Sequence, residues 1–365
     1  MIFLFSETFQ FLYQFFFKKS RFIGAVGLSI LAYLAINWGS NALDYQTYSD
    51  IYYYDNQPGT YYFEKGYSML GEFFLNHGFS YNDFRTLCIV LSLVVLFIAV
   101  NRFTKNIAFF TFFFGITAFF SDTTQIRNFM MISLVLLAFS FLINVTTKNI
   151  LISVMVIILS AQFQSLGYIF LIAVGIRCLP LKRIADRPFE TLGIMLLFML
   201  VGLLVRTSLI KIISNVAGLV STRDSLVEKV SEQYTYGSNS VQLSLVIFST
   251  ILGFLIGTYL YKNILLENLQ NEGKADTLYS GIVLSLFMLP LLFMAIDYAR
   301  IQRGAWYFIM VTATFYFGQL SIDIKKKWLV FGAFVVTSIV FLLSYTFILG
   351  GPYRQSIPYL LQFKH

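Results

Sequence analysis

The chain has 365 residues, of which 58% are hydrophobic and only 12% are charged, and its mean hydropathy is +0.73. This composition excludes an ordinary water-soluble protein. Apolar segments long enough to cross a hydrocarbon layer of ~30 Å recur along the chain, and no long polar linker divides it. We therefore predict an all-α fold, with a single polytopic membrane domain that covers residues 1–365.

Residues 1–17 are apolar but are interrupted by Glu7, Gln10 and Gln14. A cleaved signal peptide would start with basic residues and end at a small-residue cleavage site, and this segment has neither. The pattern predicts an interfacial amphipathic helix on the inner membrane surface. A twelfth membrane span is the alternative.

The rest of the chain predicts a bundle of about 11 (10–12) transmembrane helices. The predicted spans cover about 22–38, 86–100, 107–120, 128–146, 150–161, 166–177, 190–206, 241–260, 278–296, 304–320 and 328–349. Two larger polar loops, 39–85 and 206–240, interrupt the series. Residues 209–220 of the second loop have helical spacing, which predicts a helix lying on the membrane surface.

The charged residues separate by membrane side. If Lys18, Lys19 and Arg21 lie inside, the breaks between spans fall alternately inside and outside. The inside then holds 15 Lys/Arg and 7 Asp/Glu and the outside 11 of each, so the net charge of +8 lies inside. Membrane insertion produces this bias, which does not indicate a nucleic-acid partner. Both larger loops and the tail, 350–365, are then external.

The first external loop combines carboxylates with aromatic side chains. Asp44, Tyr45 and Tyr48 follow the first clear span, and Glu64 and Tyr67 lie further along the loop. Rings that cover sugar faces and acids that accept hydroxyl hydrogen bonds would make a sugar-binding surface. An aromatic belt with solvated acids is the alternative. Asp44 follows directly after a predicted span, so its carboxylate is held at a fixed depth relative to the membrane. A general base requires such a fixed position.

A second external turn carries Gln125 and Arg127 at the entrance to a span. A cation at this depth is costly and usually functional, and the start of a helix favours phosphate. We predict that Arg127 binds an anion. An arginine that extends to the interface without a function is the alternative.

The strongest local pattern is Asp297, Arg300 and Arg303, each three residues after the last. This spacing places them on one face of a helix, where Asp297 can orient Arg300. Two arginines so placed can grip a pyrophosphate through bidentate hydrogen bonds. A structural salt-bridge cluster remains the alternative.

Other polar positions are less informative. Gln164 lies in a very short external turn, and Tyr353 belongs to a tail that could close over a site. His77 lies in a loop and is not expected to be catalytic. We find no phosphate-binding glycine loop, no paired His–Cys metal pattern and no Ser–His–Asp spacing, so no metal and no cofactor are predicted.

The order of these motifs resembles the EpsG family, a branch of the Wzy-type bacterial polysaccharide polymerases. The residues that carry the resemblance are Asp44-Tyr45 with Tyr48, Glu64 to Tyr67, Gln125 to Arg127, the turn around Gln164, Arg300 with Arg303, and the Pro-Tyr tail. Many relatives have a histidine in the turn where this chain has Gln164, so a histidine base is not carried over. A GT-C-like fold (that of C-type glycosyltransferases) is implied.

The resemblance implies an enzyme, a glycosyltransferase of the bacterial plasma membrane with its active site on the extracytoplasmic face. It would join undecaprenyl-pyrophosphate-linked oligosaccharide repeat units into capsule, exopolysaccharide or O-antigen. A chain-length regulator and a flippase are possible partners beside the lipid bilayer. A glycan ligase that uses the same donor is one alternative. A transporter of lipid-linked oligosaccharide is the other, although it would need polar residues through the membrane centre.

The hypothesis gives each residue a role. Three arginines, Arg127, Arg300 and Arg303, would stabilise the diphosphate leaving group. Asp44 would take the acceptor proton, with Glu64 as second candidate. Three tyrosines, Tyr45, Tyr48 and Tyr67, would line the sugar path. We therefore expect the three arginines to lie at one end of the bundle.

Overall fold

The computed structural model describes residues 2–16, 19–38, 44–55, 62–204, 240–267, 271–292, 298–318 and 324–348. Throughout these residues the secondary structure is helical, without strands. The α-helices in chain order are α1 (Ile2–Phe16), α2 (Arg21–Trp38), α3 (Tyr45–Asp50), α4 (Lys65–Asn76), α5 (Tyr81–Phe103), α6 (Ile107–Thr117), α7 (Phe119–Thr124), α8 (Ile126–Phe141), α9 (Thr147–Ala161), α10 (Phe170–Arg177), α11 (Leu181–Asp186), α12 (Pro188–Leu204), α13 (Ser240–Glu267), α14 (Glu272–Leu284), α15 (Leu289–Leu292), α16 (Ala299–Phe317) and α17 (Ile324–Ile348). The predicted surface helix at 209–220 lies outside the described residues.

Several of these helices are suited to a membrane. Within the described ranges, five are long and apolar enough to cross one: Arg21–Trp38, Tyr81–Phe103, Val241–Leu266, Glu272–Leu292 and Lys325–Ser344. Shorter apolar helices are Ile107–Thr117, Ile126–Phe141, Thr147–Ala161, Ser165–Arg177 and Pro188–Gly202. The chain is a helical, multi-pass membrane protein. The number of about eleven spans and the GT-C-like arrangement stay predictions.

The start of α5 follows from a capping motif. Asp83 N–H donates to Ser80 Oγ (3.3 Å), and Ser80 N–H donates to the Asp83 carboxylate (3.0 Å). This reciprocal pair satisfies two backbone donors that a helix start leaves open. The helix therefore begins at Tyr81, five residues before the predicted span at 86–100.

The predicted turn at 121–127 is largely helical. Helix α7 follows α6 after a break at Ala118 and ends at Thr124, and α8 begins at Ile126. The hydroxyl groups of Thr123 and Thr124 donate to main-chain carbonyls within α7 at 2.8 and 2.7 Å. Because threonine can satisfy its hydroxyl in this way, a polar segment that looked like a turn continues as a helix.

Aromatic packing fills the centre of the bundle, around α6, α8 and α16. Phe113 of α6 lies edge-on to Phe334 of α17 with ring centroids 4.6 Å apart. Trp306 of α16 stacks on Phe341 of α17 at 4.4 Å. Nearly every residue of α16 is buried. A helix packed on all sides has a fixed position, so Arg303 in its first turns is fixed as well.

One end of the bundle joins segments that the charge pattern placed inside. Lys274 Nζ donates to the main-chain carbonyl of Phe103 (3.2 Å), and Arg177 forms an ion pair with Asp276 (3.3 Å). We call this end, formed by residues 102–106, 177–187, 262–267 and 271–277, the basic end. Of the segments predicted to lie outside, the described ones around Glu64, Gln125 and Ser165 contact α8 or α16 at the other end, as set out below. Segments that the charge pattern assigned to the same side of the membrane therefore contact one another in the structure.

Helix α1 lies along α6. Its residue Phe3 contacts Phe120 beyond the far end of α6 (5.4 Å between ring centroids), and Phe11 contacts Phe112 (4.9 Å). The polar residue Glu7 is buried against the bundle. The predicted helix at 1–17 is thus present with its polar side toward the protein, and its interfacial position stays a prediction.

Candidate active site

Arg127 is held at the start of α8 by a loop that comes from elsewhere in the chain. Its guanidinium group forms a salt bridge with Glu64, and its Nε donates to the Tyr48 hydroxyl (3.2 Å). The same group lies over the ring of Phe63, 3.8 Å from the centroid. Carboxylate, hydroxyl and ring together hold a buried cation whose desolvation would otherwise be costly.

Glu64 uses both carboxylate oxygens. Oε2 pairs with Arg127, and Oε1 accepts a hydrogen bond from the Ser165 N–H (3.0 Å). The start of α4 also docks on this turn, because Tyr67 N–H donates to the carbonyl of Gln162 (3.1 Å). Glu64 therefore connects the segment before α4 both to α8 and to the turn after α9.

Gly66 makes that docking possible. A Cβ atom at this position would lie 2.6 Å from the Cβ of Gln162 and 2.9 Å from its carbonyl oxygen. Atoms of this kind do not approach so closely, so any side chain at position 66 would push α4 away from the turn. The glycine is needed here for close approach between two segments.

The predicted sugar-binding tyrosines are mostly packed inside the loop. Tyr48 and Tyr67 are buried, and their rings meet edge to face at 6.1 Å. The cavity beside them has a volume of about 10 Å³, which is room for no more than about one water. Tyr45 is half-buried and lies edge-on to Tyr81 at 5.0 Å. Of the three predicted tyrosines, only Tyr45 exposes a substantial part of its ring.

Arg303 is held by a different set of partners within the bundle. Its Nε lies 3.4 Å from Asp122 Oδ1, and the two side chains are 1% and 0% exposed. The guanidinium group also donates to Gln125 Oε1. The second oxygen of Asp122 accepts a hydrogen bond from the Tyr307 hydroxyl. Helices α7 and α16 thus meet through a buried ion pair.

Asp44 lies directly before α3, whose residue Tyr48 accepts a hydrogen bond from Arg127. Burial raises the pKa of this carboxyl group above its ordinary value. Three cations oppose that shift, in the order Arg300, Arg127 and Arg303. All three arginines therefore act electrostatically on the Asp44 carboxyl group. Arg303 bonds to Gln125, which directly precedes the helix that holds Arg127, so these two arginines lie at the same end of the bundle.

Arg300 lies in the first turn of α16, one turn before Arg303, and is half-buried. It is the most exposed of the three arginines. Asp297 and Tyr353 lie outside the described residues, so the predicted orientation of Arg300 by Asp297 and the predicted closure by the tail stay predictions.

The remaining predicted positions have plain surroundings. Gln164 is 7% exposed and precedes the 3₁₀ helix Ser165–Ile169. His77 is exposed at the end of α4. Among the described residues, no group of three or more His, Cys, Asp or Glu side chains could hold a metal ion.

Sequence reasoning missed Asp122 and Tyr307, which hold Arg303. A signal was present, because Asp122 interrupts an apolar region only five residues before Arg127. A carboxylate at membrane depth requires a partner. Phe63 and the Ser165 main chain were also missed, and both depend on contacts that spacing along the chain does not reveal.

The fold and this cluster define a polytopic helical membrane protein with a buried arginine–carboxylate site at one end. The family model described as the EpsG family matches residues 20–361 of the chain. The chain belongs to the EpsG family, whose members are Wzy-type polysaccharide polymerase-like proteins. This confirms the resemblance and indicates a membrane protein of polysaccharide biosynthesis. No curated protein and no solved structure matches the chain.

Proposed function

We propose that this protein polymerises undecaprenyl-pyrophosphate-linked oligosaccharide repeat units by glycosyl transfer at the outer face of the bacterial plasma membrane. One observation supports this most directly: Arg127 and Arg303 are buried and each is held by a carboxylate, and the helix that Asp44 precedes contacts Arg127 through Tyr48. A general base suits a reaction in which an acceptor hydroxyl loses a proton, and fixed cations suit the release of an anionic leaving group.

The reaction requires one bond to form and one to break. The acceptor hydroxyl oxygen attacks the anomeric carbon of the donor sugar, and the bond from that carbon to the diphosphate oxygen breaks. The lipid diphosphate leaves with the electron pair, and the hydroxyl proton passes to Asp44. Fixed guanidinium groups stabilise the charge that develops on the leaving oxygen.

The three arginines divide the work. Arg127 and Arg303 already form ion pairs with Glu64 and Asp122. Arg300 is the most exposed of them and is therefore assigned the direct contact with the diphosphate. Arg127 and Arg303 contribute a positive electrostatic potential, and their carboxylate partners hold the two guanidinium groups in place.

The anionic donor also assists the base. A diphosphate beside Asp44 is a like charge, which favours the protonated form of the carboxyl group. Burial acts in the same direction and raises its pKa. Asp44 therefore gains affinity for a proton when the donor is in place, as proton uptake from the acceptor requires.

Glu64 is assigned a positioning role. Both of its oxygens are engaged, one by Arg127 and one by the Ser165 N–H, so it has less freedom to accept a proton than Asp44. Tyr48 and Tyr67 support Arg127 from inside the loop, whereas the sugar path is assigned to Tyr45. Gln125 orients the guanidinium group of Arg303, and Gln164 shapes the neighbouring turn.

A glycan ligase that transfers a finished glycan would use the same site. A transporter is less well supported, because the arginines and their carboxylate partners lie together at one end of the bundle. A chain-length regulator and a flippase are proposed as partners. No step of this mechanism needs a metal or an organic cofactor.

Reconstitution separates the three functions. The purified chain would be placed in liposomes with lipid-linked repeat units, and the products resolved by size. A polymerase gives a ladder, a ligase a single transfer to another acceptor, and a transporter translocation without a new glycosidic bond. Arg300→Ala should lower the rate by about 10²–10³. Arg187→Ala, at the exposed basic end, is the matched control. A normal ladder from Arg300→Ala would contradict the proposal.

A further inference from the structure

Helix α1 turns a polar side toward the protein, and the proposed glycosyl transfer does not use it. Ser6, Glu7 and Gln10 are only 3%, 3% and 1% exposed. Their spacing places them on one helical face. Phe5 and Leu12, on the other side, are exposed. Such a helix presents its apolar side outward, as a lipid-facing helix does.

Glu7 is seated against α6 at Gly115. A Cβ atom there would lie 2.6 Å from Oε2 of Glu7, so the glycine provides the room for the carboxyl group. Within the described part of the chain, neither oxygen of Glu7 has a hydrogen-bond partner. Gln10 lies one turn away and donates from Nε2 to the carbonyl of Ile23 (2.8 Å). Its Oε1 likewise has no partner among these residues.

The helices around α1 offer no described charge to Glu7. Helix α6 has no titratable residue. Helix α2 has Tyr33, which is 58% exposed, and Arg21 at its first residue. The segment next to Arg21 bonds to the start of α6, and Gly115 lies about 12 Å further along that helix.

The other neighbours are also placed elsewhere. Helix α17, which Phe11 of α1 contacts through Phe331, carries lysines only in its first turn, at 325–327. In α7, Asp122 is paired with Arg303. On α1 itself, Tyr13 is the other titratable residue. Among the described residues, an ionised Glu7 would thus be a buried charge without a counter-charge, which is far more costly than a buried neutral acid.

We propose that Glu7 forms a proton-binding site inside the bundle, where α1 packs against α2 and α6. Its ligand is a proton, held on a carboxyl oxygen beside Gln10. Phe3 and Phe11 lie on either side of it along α1 and contact Phe120 and Phe112, so the site is away from both helix ends. The proposal is independent of glycosyl transfer.

An apolar carbodiimide tests this directly. Dicyclohexylcarbodiimide reacts with protonated carboxyl groups in apolar surroundings. The acid O–H adds across one C=N bond, and the product rearranges to a stable N-acylurea, so the whole reagent adds and nothing leaves. The full chain, in detergent at pH 7, would be treated and the modified residues identified by mass spectrometry. Glu7 should react at least about 100-fold faster than exposed Asp83, because fewer than about 1% of ordinary carboxyl groups are protonated at this pH.

Two variants of the same chemistry separate the site from the surface. Glu7→Gln should lose the modification, whereas Glu190→Gln, which removes an exposed glutamate, should keep it. Equal modification in Glu7→Gln, or a rate at Glu7 no greater than that at Asp83, would overturn the proposal. Protection by sodium chloride but not by choline chloride at pH 7 would overturn the proton assignment in favour of a sodium site.

Discussion

Arg127 and Arg303 form the same kind of ion pair in two different settings. The partner of Arg127 is Glu64, which lies in the loop before α4 and is fixed by the turn after α9. The partner of Arg303 is Asp122, which belongs to a helix packed in the bundle. The first pair exists only while the loop is docked, whereas the second is built into the helix packing.

This difference predicts different responses to substitution. A loop can move away and let water reach Arg127, so loss of its partner is partly compensated. Water cannot reach Arg303 in this way, because nearly every residue of α16 is buried. The bundle pair should therefore control stability, and the loop pair should control whether the site is assembled.

The largest effect is expected from Asp122→Ala. This change leaves the buried Arg303 without its carboxylate and should cost about 3–5 kcal/mol of folding free energy. Thermal unfolding in detergent measures it. Asp186→Ala is the matched control, because its ion pair with Lys262 is exposed and is worth at most about 1 kcal/mol.

A paired replacement sharpens the result. Asp122→Leu combined with Arg303→Met removes both charges and should recover stability but not polymer formation. If Asp122→Ala unfolds like the wild type, the bundle pair does not stabilise the fold and the comparison fails.

Asp44→Asn should have the next largest effect, because it removes the proposed base. Loss of a general base costs about 10²–10⁴ in rate. The wild-type rate should fall with decreasing pH as Asp44 becomes protonated. Since burial raises its pKa, this fall should occur above pH ~4, where an ordinary aspartate titrates.

The control for the base is Asp50→Asn, because Asp50 is exposed at the end of α3. That variant should keep both the rate and the pH profile. An unchanged acid limb in Asp44→Asn would show that another group accepts the proton.

A smaller effect is expected at the loop pair. Arg127→Ala should lower the polymerisation rate by about 10²–10³. Glu64→Gln should lower the polymerisation rate by a smaller factor, because the amide oxygen can still accept a hydrogen bond from the Ser165 N–H. The two changes should not add, since Glu64 acts through Arg127.

A double-mutant cycle of rates measures that coupling. Arg102→Ala provides the control at the basic end, where Arg102 lies 4.4 Å over the ring of Phe141. Fully additive losses for the loop pair would mean that Glu64 has a role separate from Arg127.

Much of the fold could be read from the sequence, because hydropathy and charge bias act locally. The alternation of basic and mixed breaks separated the two ends of the bundle, and Arg127 and Arg303 lie at the same end, where Gln125 bonds to Arg303. What the sequence could not show was which residues hold them. Asp122 and Tyr307 are 185 positions apart, and only helix packing brings them together.

The same limit applies to the tyrosines. Tyr48 and Tyr67 were predicted to line a sugar path, and in the structure both are buried. An aromatic residue suits a sugar face and a small core equally well. Local composition cannot separate these uses until the partners of each ring are known.

The smallest expected effect tests loop docking without changing any charge. Gly66→Ala places a Cβ 2.6 Å from that of Gln162 and should weaken the docking by about 1–3 kcal/mol. Limited proteolysis should then cut the loop before α4 faster, and the polymerisation rate should fall while the unfolding temperature of the bundle stays close to that of the wild type.

Gly193→Ala is the matched control, because no described atom lies within 4 Å of a Cβ at that position of α12. It should be neutral or stabilising by about 0.5–1 kcal/mol, as for any exposed helical glycine. Loss of activity with unchanged proteolysis in Gly66→Ala would mean that the glycine serves the site itself. A matching loss of bundle stability would mean that loop and bundle unfold together, and the two arginine pairs would then not be independent.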